Sequence, residues 1–177
     1  MISFNLYPQV IRPMFKFEIK VTLIITMAEM SKAEIVKFLM QGTLTGKIAT
    51  VKKDGSSHVA PIWFVLDTGN SKGRIGNVIF TTGSASVKAK NIQRYNRVSV
   101  CVDDQIPPFS FVTIFGDAQM YPYKQREVLK WATKIAERYI GKKNAEAYGR
   151  RNSGEGEVLV RIKPTRIIAE KDTAGWD

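Results

Sequence analysis

The chain has 177 residues, of which 44% are apolar, and its formal net charge is +11. This length fits one domain with a substantial core, and the charge favours anionic partners such as phosphates, polyglutamate, nucleic acid or acidic headgroups. A single cysteine, Cys101, and a single histidine, His58, exclude an intrachain disulfide and leave too few ligands for a Cys/His zinc site. We therefore expect no metal site, and the lack of a long run of like charges argues against nucleic-acid binding.

Residues 1–26 differ in character from the rest of the chain. Their apolar stretch is interrupted by charges, and its longest uncharged run, from Val21 to Ala28, is too short to span a bilayer. No clean small-residue cleavage site follows, which argues against a secretory signal. We expect an extension with little structure, a natural start at Met27 or Met30, a single domain over 27–172, and a tail over 173–177. The expected location is cytoplasmic, without a membrane anchor.

The first part of the domain predicts a short helix followed by a β-hairpin. Residues 31–42 begin with the serine and glutamate spacing of a capping box and continue with helical apolar spacing. Asp54-Gly55 supplies a tight turn between a strand over 44–51 and a strand over 57–67. Pro61 removes one ladder donor from the second strand, so we expect it at an edge, a bulge or an exposed backbone site.

A strand, a glycine turn and a helix start follow one another in the middle of the chain. The third strand ends at Thr82, Gly83 turns the chain, and a helix is predicted to begin near Ser84 or Ser86. Free backbone N–H groups and the helix dipole make such a start an anion site, and Lys88 in the first turn can reach a bound phosphate. Spacing alone leaves a second interpretation open, an ordinary serine-capped helix with a solvated lysine.

The remaining patterns complete the predicted architecture. They indicate a strand over 97–103, a strand or pair over 111–120, a long helix from 122 to 141, and final strands over 158–162 and 166–169. About six or seven short strands with two or three helices predict an α+β fold around a mostly antiparallel sheet, which a barrel can close.

Several stretches of the chain carry a family resemblance when they are taken in order. They are KIATV at 47–51 with DG at 54–55, HVAPIWF at 58–64, VIFTTG at 78–83 with Ser86, Lys88, Ala89 and Asn91, RVSVCVDD at 97–104, and PPF at 107–109. From Ser31 to Ala169 the chain thereby resembles the pyridoxamine 5′-phosphate oxidase-like split-barrel family, and most closely its coenzyme F420-dependent branch. The resemblance implies an FMN-binding split barrel, mostly antiparallel, with flanking helices.

The resemblance also implies a cofactor site in a homodimer, between the subunits. The cofactor phosphate would lie on Ser86 and Lys88 with Thr81 and Thr82 near it. The tricyclic ring would lie along or near Ala49, Thr50, Pro61, Ile62 and Trp63. Many relatives have arginine where Val87 stands here, which removes a bidentate phosphate contact that Lys90, Lys52 or Lys53 would have to replace.

The function implied by the resemblance is an oxidoreductase in which coenzyme F420 transfers hydride to an unsaturated small-molecule substrate. The basic charge fits the phosphate and acidic tail of that coenzyme. One alternative keeps the fold and uses FMN; another is a non-catalytic flavin or deazaflavin carrier or sensor. No side chain stands out as a proton donor, so no catalytic residue is assigned, and no exposed aromatic ladder of the kind used by single-strand nucleic-acid binders is evident.

Overall fold

The computed structural model describes residues 28–69, 75–121 and 124–175, and the predicted extension 1–26 lies outside them. In these ranges the strands are β1 (Ala28–Glu29), β2 (Gly46–Val51), β3 (Ser57–Ile62), β4 (Val65–Asp67), β5 (Asn77–Gly83), β6 (Arg97–Asp103), β7 (Phe111–Tyr121) and β8 (Glu157–Lys171). The helices are α1 (Lys32–Met40), α2 (Val87–Arg94), α3 (Gln125–Ile140) and α4 (Lys142–Arg151). No helix in the described ranges is long and apolar enough to cross a bilayer.

The strands form one sheet in the order β3-β2-β6-β7-β8-β5-β4, with β1 added beside β8. Every described strand pair is antiparallel, which confirms the predicted α+β class. The two end strands, β3 and β4, are separated in sequence only by Trp63 and Phe64. The sheet must therefore curl until its two edges nearly meet, because the three steps from Ile62 to Val65 span roughly 11 Å at most. No ladder joins β3 to β4, so the barrel is split at this place.

Strand alternation divides the apolar residues between two cores. The concave side of the sheet buries Ile48, Val100, Ile114 and Val160 completely, and α1 packs Leu39 against this cluster. The second cluster lies on the outer side, where α3 covers β4, β5 and β8; its members are Val65, Ile79, Val128, Trp131, Ile135 and Leu159. The fold is thus a curled sheet with one outer helix pair, and α4 follows α3 directly.

The predicted capping box is confirmed at the start of α1. The Ser31 N–H donates to Glu34 Oε2 at 2.8 Å, and the Glu34 N–H donates to Ser31 Oγ at 3.3 Å. Glu34 also accepts from Lys171 Nζ at 2.6 Å, and these bonds lower the pKa of Glu34 to about 2. The ion pair ties the start of α1 to the end of β8.

Three element predictions are corrected. The strand expected over 57–67 is two strands, because Trp63 and Phe64 leave the ladder to cross the split. The two strands expected after residue 158 are one strand, β8, in which Pro164 lies opposite Gly116 at a register shift, where a missing N–H is tolerated. Helix α4 was not predicted at all, since its sequence is mostly polar and buries only Ala145 and Gly149.

Close packing of α4 on α3 depends on Gly149. A Cβ at this position would lie 3.0 Å from the backbone N and Cα of Thr133, and it would overlap the Thr133 hydroxyl. We expect Gly149→Val to lower the free energy of unfolding by about 2 kcal/mol, because rotating the Thr133 side chain cannot remove a backbone clash. Urea denaturation measures the change, and Ala147→Val, at an exposed position of the same helix, is the control. Equal losses in both variants would contradict the packing argument.

Candidate functional site

The predicted helix start lies at Ser86, which is the N-cap of α2. Its hydroxyl accepts from the Ala89 N–H at 3.3 Å and lies 3.2 Å from the hydroxyl of Thr82, at the end of β5. The backbone N–H groups of Val87 and Lys88 donate to no group in the described part of the chain. Two free donors at the positive end of a helix dipole, with two hydroxyls beside them, are suited to an anion.

A cavity of about 310 Å³ adjoins this helix start at the split in the sheet. It brings together most of the residues predicted from the sequence, because the end of β3 and the end of β5 approach each other there. Its lining consists of Pro61, Ile62, Trp63, Thr81, Thr82, Gly83, Lys88, Ala132, Ile135, Tyr148, Asn152 and Glu157. Ser86 adjoins this group through its contact with Thr82. Pro61 is in an edge strand, as its missing N–H suggests.

The other two predicted ring residues, Ala49 and Thr50, lie outside this cavity. Both line a groove of about 560 Å³ that runs across β2, β6 and β7. Because they are adjacent in a strand, their side chains point to opposite faces of the sheet. Thr50 is 2% exposed; it accepts from Asn91 Nδ2 at 3.0 Å and donates to the His58 carbonyl at 3.3 Å. The side chain of Thr50 is thus bonded within the protein, and Ala49 is on the outer face.

Trp63 has a packing role as well as a place in the cavity wall. Its ring stacks on Tyr139 with centroids 4.8 Å apart and planes within 1°, and on Tyr148 at 5.4 Å. Two aromatic partners fix the orientation of the indole. Because Tyr148 belongs to α4, the missed helix supplies part of the same wall.

Three polar residues of the cavity were missed from the sequence, Tyr148, Asn152 and Glu157, as were the apolar Ala132 and Ile135 of α3. Tyr148 belongs to the unpredicted α4, and Asn152 directly follows this helix. Glu157 directly precedes the strand predicted over 158–162, yet in the structure it belongs to β8 and pairs with Gly83 of β5. Burial raises the pKa of the Glu157 carboxyl, and the charge of Lys88 acts in the opposite direction. A raised pKa in a cleft is a signal that only the structure provides.

The lysines considered as replacements for an arginine at position 87 lie in a different place. Lys52, Lys53 and Lys90 line a shallow cleft of about 560 Å³ together with Asp54, Val87, Asn91 and Arg94. This cleft is formed by the hairpin turn and by α2. Among the described residues, Lys88 is therefore the lysine that lines the smaller cavity, of about 310 Å³.

Residues 31–170 match the family model described as Pyridoxamine 5′-phosphate oxidase. The chain belongs to this family. Among solved structures, a conserved hypothetical protein from Mycobacterium tuberculosis is 24% identical with a TM-score of 0.69, covering 85% of this chain and 91% of the other. A structure described as an F420 reductase is 24% identical with a TM-score of 0.54, covering 73% and 92%.

Other structures with this fold have different descriptions. A heme storage protein from Vibrio cholerae is 17% identical with a TM-score of 0.59, covering 78% of this chain and 93% of that protein. No curated protein matches the chain significantly. Likeness at this level of identity establishes the split-barrel fold of the pyridoxamine 5′-phosphate oxidase family, and function has to be argued from the site.

Proposed function

We propose that the protein is an oxidoreductase that binds a flavin-type cofactor, with coenzyme F420 as the leading candidate, and holds the cofactor phosphate at the start of α2. The observation that carries this proposal is the meeting of Thr81, Thr82 and Lys88 in one cavity, beside the free N–H groups that follow Ser86. Support for a deazaflavin comes from the solved structure described as an F420 reductase.

The residues present fit a phosphate-bearing ligand. Among the described residues of its wall, the cavity offers the cation of Lys88. The hydroxyls of Thr82 and Ser86 and the free N–H groups of Val87 and Lys88 lie beside it at the start of α2. Its volume of about 310 Å³ is at the lower limit for ligand sites. For a ligand with a tricyclic ring, we propose that the ring extends past Pro61 onto the outer face of the hairpin, where Ala49 lies.

When bound, such a cofactor supplies hydride chemistry that no side chain of this protein provides. The chain itself contributes binding and orientation. Lys88 and the N–H groups at the start of α2 hold the anion, and Pro61, Ile62 and Trp63 shape the wall along which the rest of the ligand lies. The substrate in this proposal is an unsaturated small molecule.

A homodimer is part of the proposal. Val59, Ala49, Ser99 and Phe115 lie side by side across four neighbouring strands, and Val59 is 60% exposed. A second copy on this face would cover the apolar strip and enclose the ring. We expect Val59→Asp to convert a dimer to a monomer, as measured by sedimentation velocity. Gln93→Asp, at an exposed position of α2, is the control and should leave the dimer unchanged. An unchanged dimer in the Val59 variant would exclude this face as the dimer interface.

Two alternatives share the site. FMN has a phosphate of similar size, and one solved structure with this fold is described as a FAD-binding protein from Mesorhizobium loti. A carrier or sensor would bind the same cofactors without turnover.

Titration of the purified protein with oxidised and reduced F420 and with FMN, in low and high salt, tests the proposal. We expect tight, salt-sensitive F420 binding, since anion binding at a basic site is screened by salt. FMN binding without F420 binding would overturn the leading version, and binding of neither would overturn both. Turnover with enones, quinones and tetrapyrroles distinguishes an enzyme from a carrier.

A further inference from the structure

The carboxylate of Glu157 lies in the cavity proposed for the phosphate. Glu157 is opposite Gly83 in the β5–β8 ladder, and its Oε1 would be 3.8 Å from a Cβ built on that glycine. The side chain accepts no hydrogen bond in the described part of the chain, and it forms no ion pair there. A carboxylate without donors thus borders a site that otherwise offers donors to an anion.

The charges of the cavity nearly cancel. Lys88 on α2 is the cation in its described wall, and Glu157 on β8 is the carboxylate. The facing residues of β5 and α3 are uncharged, and α4 contributes the phenol of Tyr148 and the amide of Asn152. The guanidinium of Arg151 lies 5.1 Å from the centroid of the Tyr148 ring, and Arg151 does not line the cavity.

We propose that Glu157 makes this site selective for a phosphate diester, with one negative charge, over a phosphate monoester, with two. The inference deepens the proposed function and rests on the binding of a phosphate ligand in this cavity. The phosphate of coenzyme F420 is a diester, whereas the phosphate of FMN is a monoester. Glu157 therefore supplies a physical reason for the chain to prefer the first cofactor.

The selectivity follows from the dependence of Coulomb repulsion on the charge of the ligand. A doubly charged phosphate meets twice the repulsion from the Glu157 carboxylate that a singly charged one meets. The second ionisation of a phosphate monoester has a pKa of about 6, so the difference between the ligands appears above that pH. Burial raises the pKa of Glu157, whereas the charge of Lys88 acts in the opposite direction.

The test uses three ligands with the same ring: FMN, its monomethyl phosphate ester, and riboflavin. Fluorescence titration at pH 8 gives their dissociation constants for the natural protein and for Glu157→Gln, which keeps the side-chain shape. We expect Glu157→Gln to tighten binding of FMN by about tenfold and of the methyl ester by about threefold, with riboflavin unchanged. Coenzyme F420 itself should tighten by the same factor as the methyl ester. Between pH 5 and pH 8 the preference for the methyl ester over FMN should grow in the natural protein and grow less in the variant.

Glu155→Gln is the matched control, because Glu155 is exposed and lies two residues away on the same segment. It removes the same charge from the chain without removing it from the cavity. Equal effects of Glu157→Gln on FMN, the methyl ester and riboflavin would overturn the selectivity. A Glu157→Gln effect no larger than that of Glu155→Gln would overturn it as well. Absence of any binding by the four ligands would instead overturn the proposed function, and the selectivity with it.

Discussion

Replacing Arg138 by methionine is expected to lower the free energy of unfolding by about 3 kcal/mol, because backbone carbonyls at two places would lose a charged donor. The guanidinium donates to the Leu39 carbonyl, in the last turn of α1, at 2.7 Å. It donates to the Gly42 carbonyl, beyond the end of α1, at 3.1 Å. It also donates to the Phe64 carbonyl at 2.8 Å, within the split between β3 and β4. One side chain of α3 thus joins the end of α1 to the segment that crosses the split.

Burial lowers the pKa of Arg138 from its usual high value, and arginine still stays protonated at neutral pH. The neighbouring Tyr139 reinforces the same junction, since its hydroxyl donates to the Leu44 carbonyl at 2.8 Å. We expect Arg138→Lys to lose part of the stability, because an ammonium group cannot reproduce the planar fork of a guanidinium. Urea denaturation at pH 7 gives the unfolding midpoints of both variants.

Arg150→Met provides the control for this prediction. Arg150 pairs with Glu146 on the surface of α4, where the side chains are 68% and 71% exposed. Such pairs contribute roughly 0.5 kcal/mol or less. If Arg138→Met lowered the free energy of unfolding no more than Arg150→Met, the hydrogen bonds of the Arg138 guanidinium would not be stabilising the segment between β3 and β4.

Replacing Lys88 by alanine is expected to weaken the binding of F420 and of FMN by roughly 10- to 100-fold, the usual value of a charged hydrogen bond to an anion. Lys88 is the lysine of the 310 Å³ cavity, within the described residues. Its loss leaves Glu157 without an opposing charge there, which adds repulsion to the missing attraction. Fluorescence titration measures both dissociation constants, and the salt dependence of binding should become weaker in the variant.

Lys90→Ala is the matched control, since Lys90 is on the same helix and lines the other cleft. We expect less than about a twofold change in affinity for this variant, in line with the small contributions of exposed charges. Riboflavin, which has no phosphate, should bind both variants as it binds the natural protein. An unchanged affinity of Lys88→Ala for F420 and FMN would show that the cofactor phosphate does not bind in this cavity.

Local sequence patterns were sufficient for the elements whose signals are short-range. The Ser31 capping box, the strand over 97–103 and the helix after Ser86 are all present in the structure. In each case a cap, a turn residue or an alternation of apolar residues specifies the element without help from distant segments. The same signals predicted an anion site at Thr82, Ser86 and Lys88.

Patterns failed where tertiary contacts override local preference. Helix α4 has a polar sequence, and it is held by the close approach of Gly149 to Thr133 on α3. The strand expected over 57–67 gave no sign of its break at Trp63 and Phe64, because both residues remain apolar and half-buried or buried while the chain changes sheet edge. The resemblance predicts both Ala49 and Thr50 along the cofactor ring, and the structure adds that their side chains point to opposite faces of β2.

By itself the sequence determined a basic α+β chain with antiparallel hairpins, a serine-capped helix start, and the resemblance that predicted a split barrel. Only the tertiary structure decided which residues share a cavity with that helix start. It brought Pro61, Tyr148 and Glu157 to Lys88 from three separate elements. The physical reason is the separation along the sequence of the residues that interact. Caps and turns depend on neighbours within a few residues, whereas the curl of the sheet depends on contacts between strands far apart in sequence.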